Sequence, residues 1–360
     1  MIPLLLHGRH GRPGAPEVLY QPFGNWLVPW RFGEFEQDYQ ALRTTAGLLD
    51  VSTLALVECR GADRVDFLHR LLTHDIKALT PGTGCRAALL SAHGRLLADL
   101  LVLADADALW LLCPLPRASL VADTLERYRF SEQVTWVNHE RSQAALGVQG
   151  PRTAEVVSRA FGPIPALEHP GDHALIVWQG MSIRLVSHTL AGDLGLLCLV
   201  PAEHALSVWQ ALVTTGALLG ARPVGWEALN AARIEAGLPW EADLADEPLL
   251  PETGLEAVAV SDTKGCYVGQ EIVARVATYG SVSRRLVRLA VDGDTVPQAG
   301  DVIRHEGAEA GRVTSAGWSP ARRRPLAFAY VKRSAYEPGT RVEIAREEQP
   351  LPAVIIGGRE

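Results

Sequence analysis

Asp262-Thr263-Lys264-Gly265-Cys266-Tyr267-Val268-Gly269-Gln270-Glu271-Ile272-Val273-Ala274-Arg275 is the stretch at which the chain changes character. Gly265 and Gly269 make its first half a turn, and the apolar positions from Ile272 onward make its second half a helix opening near Val268. A helix start leaves backbone N–H groups unpaired and carries partial positive charge, so a thiol placed there beside a lysine is drawn toward thiolate. Cys266 has that setting, with Lys264 two residues before it. Gly265 is expected to permit a positive φ or the close approach of a partner. Gln270 and Glu271 fall in the first turn, where a carboxylate is favoured. A plainer account of the same residues has Gln270 and Glu271 capping the helix and Cys266 packing under Tyr267.

Downstream of this stretch no helical periodicity returns. Short apolar runs at 286–291, 301–304, 311–316, 325–331, 341–345 and 353–356 alternate with Gly/Pro turns. They predict a small β-barrel or sandwich, with a domain boundary near residue 282. Upstream, helical patterns at 34–49, from Asp63, at 117–128, from Pro201 and at 225–237 are interspersed with hairpin-like strands, including a meander at 87–90, 95–103 and 109–113. Hairpins with helices between them point to an α+β fold. The expected organisation is a disordered tail over 1–16, a discontinuous α+β domain over 17–140 and 225–281, a second α+β domain over 141–224, and the barrel over 282–360.

The 360 residues exceed what a single core ordinarily serves, so two or three domains are expected. A net charge of -7 argues against general nucleic-acid binding, which needs a broad basic face. The short clusters Arg284-Arg285 and Arg322-Arg323-Arg324 read as solvated faces. No apolar run approaches the roughly 18–20 residues of a membrane span, and a cytoplasmic location is expected. Of five cysteines, Cys59, Cys85, Cys113 and Cys198 lie in apolar, strand-like surroundings and read as packing residues. No Cys-x-x-Cys or Cys/His cluster occurs, so no permanent metal is expected.

Several segments then align with one superfamily. Leu42-Arg43-Thr44-Thr45-Ala46-Gly47-Leu48-Leu49-Asp50-Val51-Ser52, the run from Gly61 through Ile76, and Arg233-Ile234-Glu235-Ala236-Gly237-Leu238-Pro239 resemble parts of the glycine-cleavage T-protein, an aminomethyltransferase. Gly311-Arg312-Val313-Thr314-Ser315 and Leu326-Ala327-Phe328-Ala329-Tyr330-Val331 are similar to its C-terminal barrel. The resemblance spans about 18–356 and implies a three-domain, cloverleaf-like molecule around a central channel for tetrahydrofolate. Within the superfamily, Lys264-Gly265-Cys266-Tyr267-Val268-Gly269-Gln270-Glu271 resembles the signature of the YgfZ branch. Those are folate-binding proteins implicated in assembly or repair of iron–sulfur clusters, including those of tRNA-modifying enzymes.

Residue by residue, the resemblance is uneven. T-proteins carry paired aspartates on a hairpin strand, and Gly94-Arg95-Leu96-Leu97-Ala98-Asp99-Leu100 keeps one acid, Asp99. The family's pterin-recognition tyrosine falls at Leu190, its later glutamate at Leu197, and the arginine for the folate tail at Leu229; Asp193 is a candidate substitute. These losses set aside transfer chemistry in favour of an accessory role centred on the Cys266 thiol with Lys264. The expected folate contacts are Asp99, Asp193, Tyr267, Gln270, Glu271 and Arg275. The expected partners are folate or a derivative, and iron–sulfur enzymes or cluster-assembly proteins. One thiol cannot alone hold a cluster that wants about four ligands. The alternative is a tetrahydrofolate-dependent aminomethyltransferase or demethylating enzyme using Asp99.

Overall fold

The computed structural model describes residues 1–11, 17–347 and 349–357, with the side chain of residue 279 left out. Among the described residues the strands form three sheets and a closed barrel. The first, three-stranded, places Trp26–Arg31 between Ile2–Pro3 and Leu19–Phe23. The second has five antiparallel strands in the order Gly84–Leu90, Leu96–Ala104, Ala108–Pro114, Leu54–Arg60, Thr135–Asn138. The third runs His173–Trp178, Met181–Ser187, Gly195–Pro201, Gln143–Gln149, Gly47–Asp50, Arg222–Pro223. The C-terminal run closes because Arg284–Val291 pairs with Arg324–Lys332 on one side and Leu351–Ile356 on the other. A barrel, rather than a sandwich, leaves the small domain without an open edge.

Helices cover the sheets with the apolar faces their periodicity supplies. Phe67, Leu68 and Leu71 of Arg64–Leu71 join Val121 and Leu125 of Ala118–Tyr128 in the cluster beneath the five-stranded sheet. Val156 and Val157 of Thr153–Phe161, with Val208, Trp209 and Leu212 of Ala205–Gly216, form the core of the six-stranded one. Trp226–Glu235 is buried along most of its length and packs against Phe35–Thr44 and the barrel strand Ala308–Ser319.

Two expectations are corrected. The helix read over 34–49 stops at Thr44, and Gly47–Asp50 becomes a strand of the six-stranded sheet. Gly47 permits this, since a Cβ there would lie 2.6 Å from Leu42 and 2.7 Å from Val224. The opening 1–11 is packed rather than disordered: Leu4 and Leu6 are buried, and the buried His10 contacts Asp50 through Nε2 at 2.9 Å and the Tyr20 hydroxyl through Nδ1 at 2.9 Å. Residues 12–16 lie outside the described residues.

A fully buried ion pair holds the barrel to the rest. Arg233 donates to Asp243 at 2.7 Å, and the other Asp243 oxygen accepts the hydroxyls of Thr314 and Ser315 on the barrel. Arg233 also stacks over Trp240 and Phe328. The Arg233-to-Pro239 motif is therefore the seam between the two parts of the chain. Among the described residues no helix is long and apolar enough to cross a membrane.

Candidate functional site

Strands Gly84–Leu90, Leu96–Ala104 and Ala108–Pro114 form one wall of a cavity of about 490 Å³. Residues 188–190, which follow a strand of the six-stranded sheet, and 238–244, which follow the Arg233 helix, close it from the other sides. The volume lies in the range that small-molecule sites occupy, roughly 300–1,000 Å³. Its lining is mostly apolar, including Leu97, Leu112, Leu190 and Trp240, with polar groups at His74, Arg86, Asp99, Arg117, His188, Thr189 and Glu241.

Antiparallel register pairs Ala88 with Asp99 and Arg86 with Leu101, so Arg86 and Asp99 are diagonal neighbours on one face. The Arg86 guanidinium grips the carboxylate with two hydrogen bonds, Nε to Oδ1 at 2.8 Å and Nη2 to Oδ2 at 2.5 Å. Burial opposes the charge on Arg86, but the Asp99 carboxylate outweighs it and raises the guanidinium pKa. Across the cavity wall, burial pushes the His188 imidazole down to about 4, with Arg86 adding to the effect and Asp99 opposing it. His188 is therefore neutral near pH 7, with one ring nitrogen to donate and one to accept. Burial raises the Glu241 carboxyl while Arg117 pulls it back.

Asp99 is the one acid or thiol of the expected set that this cavity contains. Asp193 sits on an exposed turn and accepts from Arg43 at 2.7 Å, in a network that continues to Glu235. Leu190 lines the cavity, whereas Leu197 and Leu229 are wholly buried in the core cluster that also holds Leu190.

The Cys266 stretch divides between fold and surface. The Lys264 ammonium donates to the carbonyls of His69 and Leu72, closing the C-terminal end of the Arg64–Leu71 helix. Burial pulls it down to about 8, against the opposing charge of Asp75. Its ammonium lies 5.1 Å from the centre of the Tyr267 ring, and Tyr267 is buried in the core cluster that includes Leu90, Leu96 and Leu250. Gln270 Oε1 accepts the Tyr267 N–H at 3.3 Å. The helix runs Gln270–Tyr279. Glu271 and Arg275 are exposed on it without a partner among the described residues, and none of these four side chains reaches the cavity lining. Cys266 is exposed, whereas Cys59, Cys85, Cys113 and Cys198 are buried, with burial raising each of those thiols to about 12. Gly265 has open space and no positive φ; the special glycine is Gly269, at φ 81°.

Arg86, Arg117, His188 and Glu241 went unread in the sequence. Arg86 had a usable signal, because it immediately precedes the predicted strand 87–90, one hairpin away from the strand that carries Asp99. The other three are assembled by tertiary packing alone. No group of three or more His, Cys, Asp or Glu among the described residues is placed to hold a metal.

Comparison with known proteins fits this architecture. The GCVT N-terminal domain matches residues 6–263, and the glycine cleavage T-protein C-terminal barrel domain matches 284–358. The chain belongs to the glycine-cleavage T-protein family. The aminomethyltransferase of Desulforamulus reducens is 31% identical over 359 residues, covering 98% of this chain and 95% of that protein. That of Bacillus licheniformis is 28% identical, covering 93% and 92%. The crystal structure of the glycine cleavage system aminomethyltransferase T from Bartonella henselae superposes with a TM-score of 0.86 at 24% identity, covering 99% of this chain and 96% of that one. The T-protein fold with its C-terminal barrel is thereby established. These relatives carry the aminomethyltransferase name, so the YgfZ-branch reading rests on the Lys264-to-Glu271 stretch, which lies between the two matched domains.

Proposed function

We propose that the cavity takes a reduced folate and that the protein acts on a one-carbon group carried by it, the class of chemistry named in its relatives. The observation that carries this reading is Asp99, held in the cavity wall by Arg86. A carboxylate gripped by one guanidinium keeps lone pairs for further donors, so Asp99 can accept an N–H from the pterin edge or from a reacting amine. Trp240 and Leu190 supply flat and apolar surface for a ring, and neutral His188 can hydrogen-bond in either sense. Asp99→Asn keeps the shape and removes the charge. Calorimetric titration with 5-formyltetrahydrofolate should show binding weakened by about tenfold, as for loss of a charge-assisted hydrogen bond. Folate-dependent turnover of an aminomethyl donor should fall with it. A wild-type protein that binds no reduced folate would sink the proposal.

A second reading is favoured by Cys266. Its thiol is exposed and no hydrogen bond from the described residues ties it to the fold, while Lys264, Tyr267, Gly269 and Gln270 around it are all occupied structurally. A stretch built to present one thiol suits the accessory role in iron–sulfur cluster assembly or repair, with the folate as a bound companion. In a strain lacking the protein and deficient in tRNA methylthiolation, Cys266→Ala should then fail to restore the modification and Asp99→Asn should restore it in part. The transfer reading reverses that order, being indifferent to Cys266 and dependent on Asp99. Complete restoration by Cys266→Ala counts against the accessory role.

A further inference from the structure

The cavity contains two arginines in different states. Arg86 has its charge matched by two short hydrogen bonds to Asp99. Arg117 does not. It ends the single turn Leu115–Arg117 that follows strand Ala108–Pro114, two strands across from the strand that carries Arg86. Its side chain is 19% exposed, and among the described residues its one hydrogen bond is from Nη2 to the Ala245 carbonyl at 3.2 Å. The nearest carboxylate, Glu241, stands 3.7 Å from Nε, too far for a hydrogen bond. A guanidinium is a planar fork of donors that matches a carboxylate two bonds at a time. Arg117 therefore lines the cavity with most of that fork unspent, next to a half-buried acid that only loosely neutralises it.

Leu229, where the resemblance would place an arginine for the folate tail, is buried in the core and is not part of the cavity lining. We infer that Arg117 is the docking point for the carboxylate end of the cavity's ligand, with Glu241 as the internal carboxylate that the ligand displaces. The inference rests on the reduced-folate reading and adds its polarity: the pterin lies toward Asp99 and the glutamyl carboxylates toward Arg117.

The test compares 5-formyltetrahydrofolate with its dimethyl ester, which keeps the pterin and the linker but not the negative charge. Wild type should bind the acid about tenfold to a hundredfold more tightly than the ester, the value of a charge-assisted pair. Arg117→Met should lose most of that preference by weakening the acid alone. Arg117→Lys should recover part of it, and Glu241→Gln should tighten the acid by removing its competitor. Glu241→Gln also keeps the test open if Arg117→Met folds poorly. An acid preference that persists in Arg117→Met, or equal weakening of acid and ester, overturns the docking role while leaving folate binding intact. Absence of wild-type binding to both compounds removes the folate reading and this inference together.

Discussion

Gly269→Ala and Gly265→Ala form a matched pair four residues apart, and the structure predicts opposite outcomes for them. At Gly269 the backbone is left-handed, φ 81° and ψ 2°, where it caps the helix Gln270–Tyr279. A Cβ there would lie 2.6 Å from the Ser91 carbonyl oxygen and 3.2 Å from the Gly94 Cα, both backbone atoms that no rotamer change can move. Gly94 is itself at φ 71°, and a Cβ on it would lie 2.8 Å from Ile272. The hairpin turn and the helix start thus meet glycine to glycine. A left-handed alanine costs about 1–2 kcal/mol and overpacking about 1–3, so the sum is about 2–5 kcal/mol. Gly265 has nothing within 4 Å and no positive φ, so alanine there should be nearly neutral. Urea unfolding followed by tryptophan fluorescence, with hydrogen exchange across 270–279, measures both. Gly269→Ala should lower the midpoint and speed exchange in the helix, and Gly265→Ala should do neither. Equal effects from the two alanines, or a silent Gly269→Ala, would refute the reasoning.

Two further outcomes follow from buried charge. Asp243→Ala strands a fully buried Arg233 and two barrel hydroxyls, and should cost about 3–5 kcal/mol by chemical denaturation; a shift under 1 kcal/mol, on the order of a surface pair, would mean that the seam is not where stability lies. His188 is held near 4 in the folded protein against an ordinary 6.5, so between those values the unfolded chain takes up a proton that the folded chain refuses. Stability should therefore fall as pH drops through that window, and His188→Asn should flatten that part of the pH profile. An unchanged profile in the variant would place the acid sensitivity elsewhere.

Much of the fold was legible because its signals are local. Each strand of the barrel coincides with an apolar run between Gly/Pro turns, and 286–291 against Arg284–Val291 is typical of the agreement. Closure was not legible, since it depends on Arg284–Val291 finding partners on both sides, one of them more than sixty residues away at Leu351–Ile356. The helix read through 49 failed for a related reason. Its periodicity continues past Thr44, but Leu48 and Leu49 gain a parallel neighbour in Arg222–Pro223 and an antiparallel one in Gln143–Gln149, and the sheet outbids the helix. The N-terminus misled by composition: its Gly, Pro, His and Arg suggest disorder, yet His10 finds Asp50 and Tyr20 already placed to receive it.

The site shows the same division more sharply. Asp99 was singled out because its strand resembles a known one, and the structure sets it in the cavity wall. The Cys266 stretch was read as one chemical unit, a thiol activated by lysine and helix, but the structure separates its members. Lys264 turns inward to cap another helix, Tyr267 enters the core, Gly269 meets Gly94, and Cys266 faces solvent. Sequence proximity therefore assigned Lys264 to the thiol when its hydrogen bonds go to His69 and Leu72. The converse error hid Arg117, which has no motif, no neighbouring charge in sequence and no counterpart in the expected ligand set. Only the folded chain sets it beside Glu241 with donors to spare, and that juxtaposition, rather than any signature, gives the cavity a direction.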